Sequence, residues 1–148
     1  MKFARTLTLV MILAAGAVAG ARAQDATLNV TPGKYMIKKE TSSNMKPEPL
    51  VRTEEKCISE PVFKPEDALP DKESCSVSNV KKDGDTLTFD IDCKGGAQTL
   101  PMKGTAKYSV TSSTISWSIM LKGEMQGKEV TINSKAEGKR MGDCHEAT

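Results

Sequence analysis

The stretch CSVSNVKKDGDTLTFDIDC, residues 75–93, decides the fold. It reads as a β-hairpin: Ser76 to Val80, a turn at Lys82-Asp83-Gly84-Asp85, and a return strand from Thr86 to Asp92, with a cysteine at each outer end. Leu87, Phe89, Ile91 and Cys93 fall on one side of a period-two strand, and Thr86, Thr88, Asp90 and Asp92 on the other. One face is dry and the other wet, the signature of a half-buried antiparallel sheet.

Outward from the hairpin the same alternation recurs. Tyr35 and Ile37 alternate with Met36, Lys38 and Glu40 in a strand expected to fray into Thr41 to Asn44, and Pro47 and Pro49 are expected to interrupt the chain beyond it. Val51, Thr53, Glu55 and Cys57 alternate with Arg52, Glu54 and Lys56, a polar strand suited to an edge and expected to deliver Cys57 to the dry side. From Ser59 to Ser74 come Pro61, Pro65 and Pro70. This reads as a loop packed over one end of the sheet, with one helical turn from Pro65 to Leu69 and Val62, Phe63 and Leu69 as anchors. After the hairpin, Ala106, Tyr108 and Val110 share a face. Ile115, Trp117, Ile119 and Leu121 then form the clearest strand of the chain, expected at the centre of the sheet, succeeded by Val130, Ile132, Ser134 and Ala136. Turn signals between consecutive strands predict an all-β fold, an antiparallel meander of about seven or eight strands. It takes the form of a small curled sheet or an up-and-down barrel, closure being one way to manage sheet edges.

The first residues have a different character. Lys2 and Arg5 precede the apolar run Leu7 to Ala19, and Ala21-Arg22-Ala23 offers a small-x-small cleavage site. Residues 1–23 therefore read as a secretory signal peptide, which leaves 24–148 as a single all-β domain. No later stretch is long and apolar enough to cross a bilayer as a helix. Cleavage removes Lys2, Arg5 and Arg22 and no acid, turning the +2 of the whole chain into −1. A near-neutral domain lacks the basic stripe of a nucleic-acid binder. The expected location is the periplasm of a bacterium, with extracellular release as the alternative.

Four cysteines in an exported chain favour two disulfides. No Cys-x-x-Cys pair occurs, so zinc-ribbon and thioredoxin-type readings lack their spacing. Of three connectivities, Cys75 with Cys93 is preferred because both flank one hairpin, leaving Cys57 with Cys144. A two-residue turn would set Cys75 and Cys93 on opposite faces, whereas an odd loop or a bulge would set them on the same face. On the chain-entropy model the short loop contributes roughly 3 kcal/mol and the long one roughly 4.6 kcal/mol.

Several landmarks line up with a known family. Pro32-Gly33-Lys34-Tyr35, Cys57-Ile58-Ser59, the cysteines around the hairpin, and the closing Gly138-Lys139-Arg140-Met141-Gly142-Asp143-Cys144 resemble the bacterial exported proteins grouped as domain of unknown function 3617. The most specific part is the terminal Gly-x-Arg-x-Gly-x-Cys together with the cysteine order. The chain departs from the pattern at Lys34-Tyr35, where the family more often shows Leu-Trp and then an acid. The resemblance implies export to the envelope and no established activity, and so supplies no catalytic residues. It fits a fastening role for the tail, with Gly142 letting the chain turn and Cys144 tied to the strand that carries Cys57.

No constellation amounts to catalytic, cofactor or metal chemistry. His145, the only histidine, lies close to the C-terminus, where a solvated position is expected rather than a general base. Met36, Met45, Met102, Met120, Met125 and Met141 form no Met-x-x-Met cluster of the kind a soft metal would need. Asp83 and Asp85 belong to a turn, and Asp90 and Asp92 to a wet strand face, not to a calcium loop. There remains the inside of the sheet. Tyr35, Phe89, Tyr108 and Trp117 would either line a small apolar cavity or fill the core. The expectation is a monomeric, non-catalytic structural or binding domain without a cofactor, its partner a hydrophobic small molecule or an envelope protein. An enzyme or enzyme inhibitor working through loop 59–74 is the alternative.

Overall fold

A computed structural model describes residues 26–96 and 99–144; the signal-peptide segment 1–23 and His145 lie outside the described residues. The strands are β1 (Leu28–Asn29), β2 (Gly33–Ser43), β3 (Lys46–Ile58), β4 (Val62–Phe63), β5 (Cys75–Asp83), β6 (Thr86–Cys93), β7 (Met102–Val110), β8 (Thr114–Met125) and β9 (Lys128–Gly142), with a 3-10 turn at Pro65–Ala68. Seven of them form one antiparallel sheet in the order β3-β2-β9-β8-β7-β6-β5, and β1 pairs with β4 in a separate two-stranded ribbon.

The meander holds from β5 to β9, and the β2–β3 hairpin then adds to the free side of β9. The sheet does not close into a barrel: β3 and β5 remain its two edges. The segment joining them, residues 59–74, crosses one face of the sheet as a strap, and the ribbon of β1 with β4 lies along it. Leu28 and Val30 are buried with the core of β5 to β7, and Phe63, Ala68 and Leu69 pack against that core. We call this the inner face. On β6 the strap produces strict alternation, with Leu87, Phe89, Ile91 and Cys93 buried and the residues between them half-buried.

Three features of β2 and β3 differ from expectation. β2 does not fray at Thr41 but continues to Ser43, because β3 lies on one side and β9 on the other. β3 runs through Pro47 and Pro49, with an irregularity in its pairing between Lys46 and Leu50. An edge strand tolerates proline because an N–H facing solvent has no ladder partner to lose. Cys57 is not on the dry side either. It pairs with Lys34 and is exposed, whereas its neighbour Ile58 pairs with Gly33 and packs inward.

The cysteines pair as Cys75–Cys93 and Cys57–Cys144. The hairpin register explains the first. Asp83 opposes Thr86 across a two-residue turn, yet Cys75 opposes Cys93, so β5 holds one residue more than β6 between those points. The extra residue lies between Ser78 and Lys81, where Asn79 adopts φ 51° and donates its side-chain N–H to Asp90 Oδ2 at 2.6 Å. Asparagine tolerates this left-handed conformation better than most residues. The bulge turns both Val77 and Val80 toward the core and brings Cys75 to the face of Cys93.

Deleting Asn79 should therefore leave a regular hairpin with the Cys75–Cys93 bridge intact and no free thiol. Deleting Ser76, on the other side of the bulge, should point Cys75 outward and release two thiols, counted by alkylation and intact mass.

Candidate functional site

β8 occupies the middle of the seven-stranded sheet, and its inner column, Ile115, Trp117, Ile119 and Leu121, is the most apolar in the chain. A central strand ordinarily supplies the most buried side chains, yet no residue of β8 is buried and this column is only half-covered. The strap lies over β5 to β7 and leaves the β8 column half-covered, with Ile132 and Ser134 of β9 half-buried beside it. Between strap and sheet runs a cleft of about 640 Å³. Its floor includes the β8 column with Ile37 and Ile132, its strap wall includes Val62 and Phe63, and Lys39, Lys56 and Glu60 stand among its polar residues.

Aromatic stacking sets the position of the wall. Tyr108 on β7 stacks on Trp117 of β8 at 5.8 Å between ring centroids, on Phe89 of β6 at 5.9 Å, and on Phe63 of the strap at 4.4 Å. Each contact adds about 0.5–1.5 kcal/mol beyond the area it buries, so Tyr108 couples the strap to three strands. Of the four aromatic residues singled out from the sequence, Tyr108 and Trp117 line the cleft. Phe89 is buried beneath the strap. Tyr35, with no exposed surface, belongs to a second small core with Ile37 and Ala136 and donates its hydroxyl to the Thr31 carbonyl at 2.7 Å. Periodicity could not separate these roles, because all four are inward-facing positions and only the path of the strap distinguishes them.

Two carboxylates of the strap serve its own conformation. Asp67 accepts the Lys64 N–H and the Lys72 ammonium, both at 3.1 Å, and these outweigh partial burial to hold its carboxyl below the usual range. Asp71 accepts the Ser74 hydroxyl at 2.6 Å and the Glu73 N–H at 2.9 Å, which lower its pKa too. Among the described residues no three His, Cys, Asp or Glu side chains converge as a metal site would require.

A second cluster lies where β2 begins and β9 ends. Arg140 pairs with Tyr35 across the strands, donates its Nε–H to the Pro32 carbonyl at 2.9 Å and bridges to Asp143. A side chain at Gly33 would collide with the Arg140 guanidinium and the Gly142 carbonyl. Cys144 bonds to Cys57 two strands away, across β2. The Pro-Gly and Gly-x-Arg-x-Gly-x-Cys segments thus meet at one corner, and their residues fasten it.

Both phenols are held above their ordinary range. For Tyr108 the cause is burial; for Tyr35 it is burial, partly offset by the Arg140 charge. The native state therefore keeps protons that the unfolded chain releases, and stability falls as pH rises through about 10, the ordinary phenol value. In an alkaline titration tyrosinate absorbance should appear together with unfolding, monitored by Trp117 fluorescence. Ionisation of either phenol near its ordinary value in the folded protein would contradict this packing.

No curated protein and no solved structure gives a significant match to the chain. A family model does, over residues 30–144, a span that holds every strand of the large sheet, the strap, both disulfides and the Arg140 corner. The chain thus belongs to the family described as protein of unknown function, DUF3617.

Proposed function

We propose that this is a monomeric, non-catalytic binding domain of the bacterial periplasm that holds a small hydrophobic molecule in the cleft between strap and sheet. The exposure of the β8 column carries the reading. Ile115, Trp117, Ile119 and Leu121 are the side chains a folding chain gains most by covering, and this one leaves them half-open beside about 640 Å³ of space. That volume lies within the range of about 300–1,000 Å³ occupied by small-ligand sites, and a mostly apolar lining with a few polar groups is their usual composition. Two disulfides support a location in an oxidising compartment, as do the charged, apolar and small-residue stretches of residues 1–23.

The Ser59 to Ser74 segment supports binding more directly than catalysis. Phe63, Ala68 and Leu69 pack against the core, whereas Val62, expected as an anchor, is exposed at the cleft wall, and Asp67 and Asp71 are engaged in capping the segment. As a wall of the cleft it would set the shape of what enters.

The test uses Trp117, the sole tryptophan, as the reporter. Titrating the purified protein with the neutral apolar probe N-phenyl-1-naphthylamine should quench Trp117 emission and enhance that of the probe, saturating at one site. Ile119→Glu puts a charge on the half-open floor and should weaken binding at least about tenfold, a cost of about 1.4 kcal/mol, while the melting transition stays cooperative. Wild-type protein that shows no saturable response, and carries no extra mass when purified from its own compartment and measured by native mass spectrometry, would refute the proposal.

A further inference from the structure

The register of β2 against β3 puts Lys39, which lines the cleft, directly opposite Arg52 on the inner face of the edge strand. Like charges in directly opposed positions disfavour a sheet, and such columns are commonly relieved by an acid at one of the two places. Here the other neighbour of Lys39 is Ala136 on β9. Lys56, on the same face of β3, opposes Tyr35 and lines the cleft too. Five salt bridges form among the described residues, and none includes Lys39, Arg52 or Lys56. Acids are near: Glu54 lies between Arg52 and Lys56 on the same face, opposite Ile37, and Glu60 and Asp67 stand on the strap side, Asp67 already held by Lys72. None of them is paired with the three bases. The outer face of the same hairpin behaves differently, with Lys34 bridging to Glu55 at 3.4 Å.

An apolar floor that ends at a pair of opposed, unneutralised bases is complementary to a molecule with an apolar chain and a negative end. We infer that the ligand of the cleft is a single-chain anionic amphiphile of the fatty-acid class, its carboxylate between Lys39 and Arg52 and its chain crossing Ala136 to reach Trp117 and the β8 column. The inference rests on the binding role proposed above and adds the chemistry of the head group. Arg52 offers a planar pair of donors that matches a carboxylate, and Lys39 a compact charge opposite it. A carboxylate between them would also remove the repulsion that this register imposes, so binding should stabilise the β2–β3 hairpin.

The test compares laurate with dodecanol, which share an alkyl chain and differ in charge, by calorimetry on the intact disulfide-bonded protein. Laurate should bind at least about fivefold more tightly, as expected for an ion pair at a partly exposed site, and the preference should shrink with added salt. In the double variant Lys39→Gln, Arg52→Gln the preference should vanish while dodecanol still binds, which also shows that the cleft is intact. Lys39→Glu, Arg52→Glu should reverse it. Equal affinity for the two ligands in the wild type would overturn the head-group assignment and leave the cleft as a binding site. A preference that survives in the double variant would overturn it as well. Binding of neither ligand would overturn both this inference and the function on which it rests.

Discussion

A single sheet with one apolar face has to bury that face against something, and here the cover is a strap of about sixteen residues. Its path is dictated by the sheet edges. β3 ends at one corner and β5 begins at the diagonally opposite one, so the connection must cross the inner face, and Phe63 stacked on Tyr108 fixes where it crosses. Half of the face is thereby dried into a core around Leu87, Phe89 and Ile91, and the other half is left beside a cleft. The same constraint accounts for both the stability of one side and the availability of the other.

Long-range closure secures the arrangement. β2 joins the sheet only by pairing with β9, about a hundred residues later in the chain. Contacts so distant in sequence form at a high cost in loop entropy. Arg140 on the Pro32 carbonyl, the crowded Gly33 and the Cys57–Cys144 bridge all act at that junction. The Pro-Gly and Gly-x-Arg-x-Gly-x-Cys segments, far apart in the chain, thus meet at one point and hold the corner.

Much of the fold was legible in the residues. The alternation of Leu87, Phe89 and Ile91 identified the hairpin, the Ile115 to Leu121 column identified the central strand, and the polarity of β3 marked an edge. Local signals misled where tertiary partners took over. Pro47 and Pro49 looked like breakers, but an outer edge asks little of their missing N–H groups. Cys57 shares the parity of Val51 and Thr53 as expected, but that parity faces outward, since Ile58 rather than Cys57 meets the inner core. The bulge at Asn79 reconciles an even turn with a same-face cysteine pair, and no side-chain pattern announces it.

The sequence by itself determined that the domain is built from alternating antiparallel strands with cysteines placed to staple them, because period-two hydrophobicity is a local property of each segment. It also determined which side chains face inward on β2 and on β6 to β9, but not on the polar edge strand β3, where the inward parity is that of Glu54 and Lys56 rather than of Cys57. Only the tertiary structure decided which of those are sealed and which line open space. Tyr35 and Trp117 have the same pattern in the chain, but one is enclosed by the β2–β9 corner and the other lies beyond the reach of the strap. Coverage depends on how far a connecting segment of given length extends over a sheet of given width, and that relation appears only once distant strands are side by side.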